Sequence, residues 1–183
     1  MKNISDHVLD IVGNSVRAKS TLIEIIVDEN KSDDRYSLII KDNGCGMSRE
    51  VLKRATDPFF TSRTTRKVGL GLSLLKQNAE NANGSFQVIS EEGRGTLVEA
   101  VFQYTNIDRP PLGDIWNSWY YTLLSNIDIR LIYRHKTNFG EFEIDSKELL
   151  EMLEGVSLQQ KDIKEGIINI IINNLREIKV LNK

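Results

Sequence analysis

Two glycines one residue apart, Gly69 and Gly71, open a run in which Leu70, Leu74 and Leu75 fall at helical spacing, and this stretch from Lys67 to Lys76 most limits what the chain can be. Glycine lets backbone approach a ligand closely. A helix that starts at such a turn presents free N–H groups and the positive end of its dipole to an anion, phosphate above all. The same pattern also makes an ordinary tight turn. It is not a P-loop, because Gly-x-x-x-x-Gly-Lys-Ser/Thr occurs nowhere, and the third glycine of the dinucleotide fingerprint is absent. The residues upstream bear on the choice between turn and phosphate site.

At 183 residues the chain is long enough for a real core, as one large domain or as one of usual size with a small appendage. Its net charge of −2 gives no global attraction for nucleic acid or an anionic membrane surface. The single cysteine, Cys45, excludes an intrachain disulfide and a cysteine zinc site, and fits a reducing cytoplasm. Asp6 and Asp10 interrupt the start of the chain where a signal peptide needs an apolar run, and the richest apolar run, Ile167 to Ile172, is too short to span a bilayer. We expect a cytoplasmic protein.

Read in order, Ser5 or Asp6 is placed to cap a first helix whose apolar positions Val8, Leu9, Ile11, Val12 and Val16 follow a period near 3.6. Asp10, Asn14 and Arg17 lie four and three residues apart and share one face of it, either a solvated stripe or a site. Thr21 to Asp28 and Tyr36 to Lys41 read as strands, and the second runs directly into Asp42-Asn43-Gly44-Cys45-Gly46-Met47. Ser48 is placed to cap a helix from Arg49 to about Ala55. Pro58, Phe59 and Phe60 then lead a stretch of hydroxyls and cations that includes Thr61, Arg63, Arg66 and Lys67. That stretch suits either a mobile surface loop or a lid whose cations meet phosphate oxygens. Asn83-Gly84 stops the helix that begins at the glycine turn, and strands follow over Ser85 to Ser90 and Thr96 to Tyr104.

In order, Asp10-x-x-x-Asn14, Asp42-x-Gly44-x-Gly46, Asp57-Pro58-Phe59-Phe60, Gly69-x-Gly71-Leu72 and Gly95-Thr96 resemble the N, G1, F, G2 and G3 boxes of the superfamily of gyrase, heat-shock chaperone, histidine kinase and mismatch-repair ATPases. The resemblance covers Ile4 to Tyr104 and implies the Bergerat fold, an α/β sandwich of a mixed sheet with helices on one face, holding ATP beneath a flexible lid. It implies that Asp42 accepts a hydrogen bond from the adenine amine and that Thr96 reaches the same base edge directly or through water. Gly44 and Gly46 would let the base pack close, between apolar walls from Met47 and Leu72. Asn14 would offer its amide oxygen to a magnesium ion bridging the phosphates. Gly69, Leu70 and Gly71 would donate backbone N–H groups to those phosphates, with Arg63 or Lys67 closing from the lid and Phe60 at its hinge.

Within that superfamily the histidine kinases look most similar. Arg17 stands where they carry the Lys of Asn-Ala-x-Lys, and Phe59 and Phe60 with a compact lid fit the same branch. Asp10 occupies the place of the glutamate that orients water in the hydrolytic branches, so it is the candidate base or water-orienting carboxylate, one methylene shorter. His7 lacks the acidic neighbour and proline of a phospho-acceptor motif, and His135 reads as a hairpin-surface residue. An acceptor would then belong to a partner protein.

Thr105 to Asp114, with Pro110 and Pro111, reads as a stiff linker between an ATP-binding domain over residues 1–104 and a small α+β appendage over 115–183. The appendage is expected to hold a helix from Asp114 to Ser125, a hairpin of Ile127 to Tyr133 with Phe139 to Ile144, a helix capped by Ser146, and a last helix from Gln159 to Leu181. Trp116, Trp119 and Tyr120 read as core. The appendage carries no catalytic constellation, which suggests docking or regulation.

Overall fold

The computed structural model describes residues 1–57 and 71–181. Its centre is a mixed six-stranded sheet in the order β3-β4-β2-β1-β5-β6. The strands are β1 (Leu22–Asn30), β2 (Arg35–Asp42), β3 (Ser85–Glu91), β4 (Gly95–Gln103), β5 (Arg130–Thr137) and β6 (Gly140–Asp145). Every neighbouring pair is antiparallel except β1 with β5. Apolar residues alternate along the strands, so Ile23, Ile25 and Val27 of β1, Leu38 and Ile40 of β2, and Val98, Ala100 and Phe102 of β4 all point to one buried face.

A layer of helices covers that face. α1 (Ile4–Arg17) is flanked by α3 (Gly71–Asn81) on one side and α4 (Ile115–Ser125) on the other, and α6 (Lys161–Glu177) packs beyond α4. The apolar stripe of α1 buries Ile4, Val8, Ile11 and Val12, each such side chain contributing about 1.5–3 kcal/mol relative to exposure. Asn3 rather than Ser5 or Asp6 caps this helix, its side chain accepting from the Asp6 N–H, so the helix starts earlier than those two residues suggest. Ser48 caps α2 (Arg49–Arg54) as expected, and Asn83, two residues past the end of α3, takes a left-handed φ of 53°. The uncovered sheet face carries charge, with Lys41 to Glu24 at 3.5 Å, Arg35 to Glu99 at 3.3 Å and Arg134 to Glu141 at 3.1 Å. Pairs this exposed add little stability each and keep the face wet.

The segment beyond residue 104 is built onto the same sheet. β5 runs parallel to β1 from Leu22 opposite Arg130 to Glu29 opposite Thr137, and one continuous buried cluster includes Ile11 and Val12 together with Trp119, Leu131, Ile171 and Leu175. The Pro110–Pro111 stretch is tied down as well, since the carbonyls of Pro111 and Leu112 accept the N–H groups of Ile4 and Ser5 at 2.8 and 2.9 Å. The guanidinium of Arg109 lies 4.7 Å from the ring centre of Tyr36 and 4.8 Å from that of Tyr104. Local boundaries in this segment shift too. The hairpin strand starts at Arg130 rather than Ile127, and Asp145, not Ser146, caps α5 (Ser146–Met152), because the Ser146 hydroxyl is occupied in accepting the Leu131 N–H at 2.8 Å. The last helix runs Lys161–Glu177, shorter at both ends than the expected Gln159 to Leu181. Trp119 and Tyr120 are core, as expected.

His135 corrects the sequence reading. Its side chain is fully buried, with Nδ1 2.6 Å from the Tyr133 hydroxyl and Nε2 3.0 Å from the carboxylate of buried Glu29. The strand alternation that buries Leu131 and Tyr133 carries His135 to the same face, and Glu29 follows Ile25 and Val27 there from β1.

Candidate functional site

At the end of β2, where the strand meets the helix layer, Asp42 is fixed from two sides. Its Oδ2 accepts from the Ser15 hydroxyl at 2.7 Å, and its Oδ1 accepts from the Gly44 N–H at 2.9 Å. Ser15 is buried on α1, one residue after Asn14. The helix therefore orients the carboxylate. Across the sheet, Thr96 is the register partner of Asp42, and Ser90 is the partner of Thr96, so the three side chains form one row on the helix-covered face.

The turn that follows Asp42 is built to pass between other backbone segments. A Cβ on Gly44 would stand 2.7 Å from Ala18 O and 2.6 Å from Ser20 Oγ. Gly46, at φ 65°, has the Glu91 carbonyl in the same position, 2.0 Å from where a Cβ would be. These glycines thus answer first to the close packing of the α1–β1 corner and the β3–β4 turn, a nearer cause than contact with a base. Asn43 locks the same turn by accepting the N–H groups of Thr21 and Leu22, both at 2.9 Å. Met47 and Leu72 are both half-buried, and Met47 N–H donates to Ser90 Oγ at 2.9 Å.

Further along α1, Asp10 and Asn14 occupy the half-buried edge that faces α3. A Cβ on Gly71 would lie 1.8 Å from Asp10 Oδ2, so the carboxylate rests directly on the first residue of α3 and any larger residue there has to displace it. The Asn14 side-chain oxygen accepts from the Arg17 guanidinium, one turn on. The structure thus brings Asp10, Asn14, Arg17, Asp42, Gly44, Gly46, Met47, Gly71, Leu72 and Thr96 along a path from the end of β2, past α1, to the start of α3. Phe60, Arg63, Lys67, Gly69 and Leu70, expected in the lid and the glycine turn, lie outside the described residues.

His7 is also on α1, but it faces inward. It is fully buried, Asn78 of α3 donates to its Nε2 at 2.8 Å, and burial, with a smaller push from the amino terminus, lowers its pKa to about 4. The ring presents no surface to solvent.

Sequence reasoning missed Ser15 and Ser90. Each had a signal: Ser15 is a polar residue one turn after Ile11 on the buried stripe, and Ser90 continues the inward alternation of Phe86 and Val88. Neither lies in a box glycine or charge pattern, so pattern matching passes over both.

Comparison with known proteins bears on the family and the fold. The family described as histidine kinase-, DNA gyrase B-, and HSP90-like ATPase matches residues 3–106. A putative sensor protein of Shewanella frigidimarina is 38% identical over 102 residues, 55% of this chain and 16% of that protein. A probable C4-dicarboxylate sensor kinase of Bacillus subtilis is 34% identical over 48% of this chain and 16% of its own length. The signal transduction histidine-protein kinase AtoS of Escherichia coli is 35% identical over 48% of this chain and 14% of its own. The matched part is thus about a sixth of these relatives or less. Among solved structures, the ADP-complexed MutL ATPase domain of Aquifex aeolicus superposes with a TM-score of 0.51 over 84% of this chain and 68% of that one, at 17% identity. Among the described residues no helix is long and apolar enough to cross a membrane. With its mixed sheet under one layer of helices and the family match over more than half its length, the chain belongs to the histidine kinase-, DNA gyrase B- and HSP90-like ATPases and has their Bergerat fold.

Proposed function

We propose that this chain binds ATP with the adenine at Asp42 and Thr96 and the phosphates toward the start of α3, and that it passes the terminal phosphoryl group to a partner protein. The observation that carries the reading is the fixed Asp42 carboxylate. Both its oxygens are oriented by Ser15 and Gly44, leaving remaining lone pairs for an exocyclic amine. A carboxylate set opposite a carbonyl brings lone pairs against lone pairs, so the site favours adenine over guanine. Asp10, Asn14 and the first turn of α3 stand at the phosphate end.

A magnesium ion fits this donor set. Asn14 brings a hard amide oxygen, now taken by Arg17, and magnesium is typically held by few protein groups together with phosphate oxygens and water. When bound, the ion would neutralise phosphate charge. Arg17 would then exchange its hydrogen bond to Asn14 for one to a phosphate oxygen. A partner protein as acceptor is favoured by the similarity to sensor kinases and by the burial of both histidines, His7 and His135. The exposed Cys45 suits a reducing, cytoplasmic setting. The segment after residue 104, carried at the β5–β6 edge, is read as a docking or regulatory element.

A second reading, a nucleotide-gated ATPase without phosphotransfer, is favoured by one observation: the Asp10 carboxylate lies at the start of α3, where it could orient a water toward phosphate. Incubation with γ-labelled ATP and a lysate of the source cells separates the two. Label retained on a protein supports phosphotransfer, whereas release of inorganic phosphate with no labelled protein supports hydrolysis alone.

A further inference from the structure

We propose that Ser90 sets the hydrogen-bond polarity of the base end of the site, holding the Thr96 hydroxyl as an acceptor and so helping to select a 6-amino over a 6-oxo purine; this rests on the nucleotide reading above. Ser90 Oγ has three neighbours at 2.9 Å: the Met47 N–H, the Gly95 carbonyl and Thr96 Oγ1. A hydroxyl has one hydrogen and two lone pairs. An N–H can only donate and a carbonyl can only accept. The Ser90 hydrogen therefore goes to Gly95 O, one lone pair takes Met47 N–H, and the remaining contact is satisfied only if Thr96 donates to Ser90.

The Thr96 hydrogen is thus committed inward, and what Thr96 offers to a ligand is lone pairs. Beside it in the same row, Asp42 is acceptor-only when ionised. The base end is therefore a floor of acceptors. A purine with an amino group at position 6 supplies hydrogens to it, directly or through water. A 6-oxo purine brings lone pairs against lone pairs at that point. Without Ser90 the Thr96 hydroxyl is able to turn and donate to the oxygen, which relaxes the discrimination. Ser90 touches no ligand in this scheme; it is a positioning residue acting through Thr96.

The test is the ratio of affinities for ATP and inosine triphosphate, measured by calorimetry for the unaltered chain, Ser90→Ala, Thr96→Val and the double variant. The expected result is a preference for ATP in the unaltered chain that narrows about three- to tenfold in Ser90→Ala, consistent with one hydrogen bond changing sense. Thr96→Val removes the hydroxyl, so adding Ser90→Ala to it should leave the ratio unchanged. A purely structural role for Ser90 would weaken both nucleotides by the same factor and keep the ratio, and that result overturns the proposal. So does a ratio that narrows equally with and without Thr96. Failure of the unaltered chain to bind either nucleotide would instead refute the ATP reading itself, and this proposal with it.

Discussion

Lowering pH should destabilise this protein through His7 in a way that a non-titrating side chain abolishes. In the fold the ring is fully buried between α1 and α3, and its pKa is lowered to about 4, whereas a solvated imidazole titrates near 6.5. Between those values the unfolded chain binds a proton that the folded chain refuses, so stability rises with pH through this window and falls as the solution is acidified from 6.5 to 4. The gap corresponds to about 3 kcal/mol, a large part of the 5–15 kcal/mol typical of a domain. His7→Gln retains an oxygen to accept from Asn78 and cannot titrate. The Gln amide N–H groups take the place of Nδ1, which finds no partner among the described residues, so the comparison is of the two pH slopes and not of stability at one pH. Urea unfolding of both proteins at several pH values between 7.5 and 4.5 reads the difference directly. The unaltered chain should lose about 1.4 kcal/mol per pH unit more than His7→Gln below pH 6.5. Parallel stability profiles would show that His7 takes up its proton in the folded protein and that its burial is not as described.

Three further outcomes follow from particular contacts. Gly71→Ala would put a Cβ 1.8 Å from Asp10 Oδ2 and displace that carboxylate, so ATP affinity should fall about tenfold by calorimetry and the melting temperature should not rise despite alanine's better helix propensity, whereas with Asp10→Ala in the same chain it should rise; unchanged ATP affinity in Gly71→Ala would show that the carboxylate moves aside without consequence. Asn14→Ala should weaken ATP binding in the presence of magnesium more than in EDTA, and equal losses in both would remove Asn14 as a metal ligand. His135→Leu leaves the buried Glu29 carboxylate and the Tyr133 hydroxyl without their shared partner and should cost about 2–4 kcal/mol in urea unfolding, whereas a loss below about 0.5 kcal/mol would place the ring at the surface, as the sequence suggested.

The first hundred residues were legible because their constraints are local. Glycines at 44 and 46, a carboxylate at a strand end and an Asp-Asn-Arg stripe at helical spacing each leave a mark within a few positions, and all of them meet in the fold. The reason for the glycines was less legible, since it depends on Ala18, Ser20 and Glu91, which no local pattern connects to the turn. Polar side chains on buried faces were harder still. Ser15, Ser90 and His135 look like surface residues by type, and only strand register or helix packing turns them inward. The Thr105 to Asp114 stretch reads as a stiff linker until the N–H groups of Ile4 and Ser5 are seen to need the carbonyls of Pro111 and Leu112. Pairing of β5 with β1 has no sequence signal at all, because a parallel neighbour roughly a hundred residues away is chosen by the whole sheet.

On the proposed reading the Asp42 carboxylate recognises the base of ATP. Calorimetric titration of the unaltered chain and of Asp42→Asn with ATP and magnesium tests it most directly. Exchanging the carboxylate for an amide removes one charge-assisted hydrogen bond, about 1.5–3 kcal/mol, so the variant should bind roughly tenfold to a hundredfold more weakly. The Gly44 N–H can still donate to the one amide oxygen, and Ser15, whose hydroxyl also lies 3.3 Å from the Ile11 carbonyl, can turn its hydrogen there and accept from the amide N–H, so the melting temperature without nucleotide should change little. Equal affinity in the two proteins, with the fold intact in both, would contradict the claim.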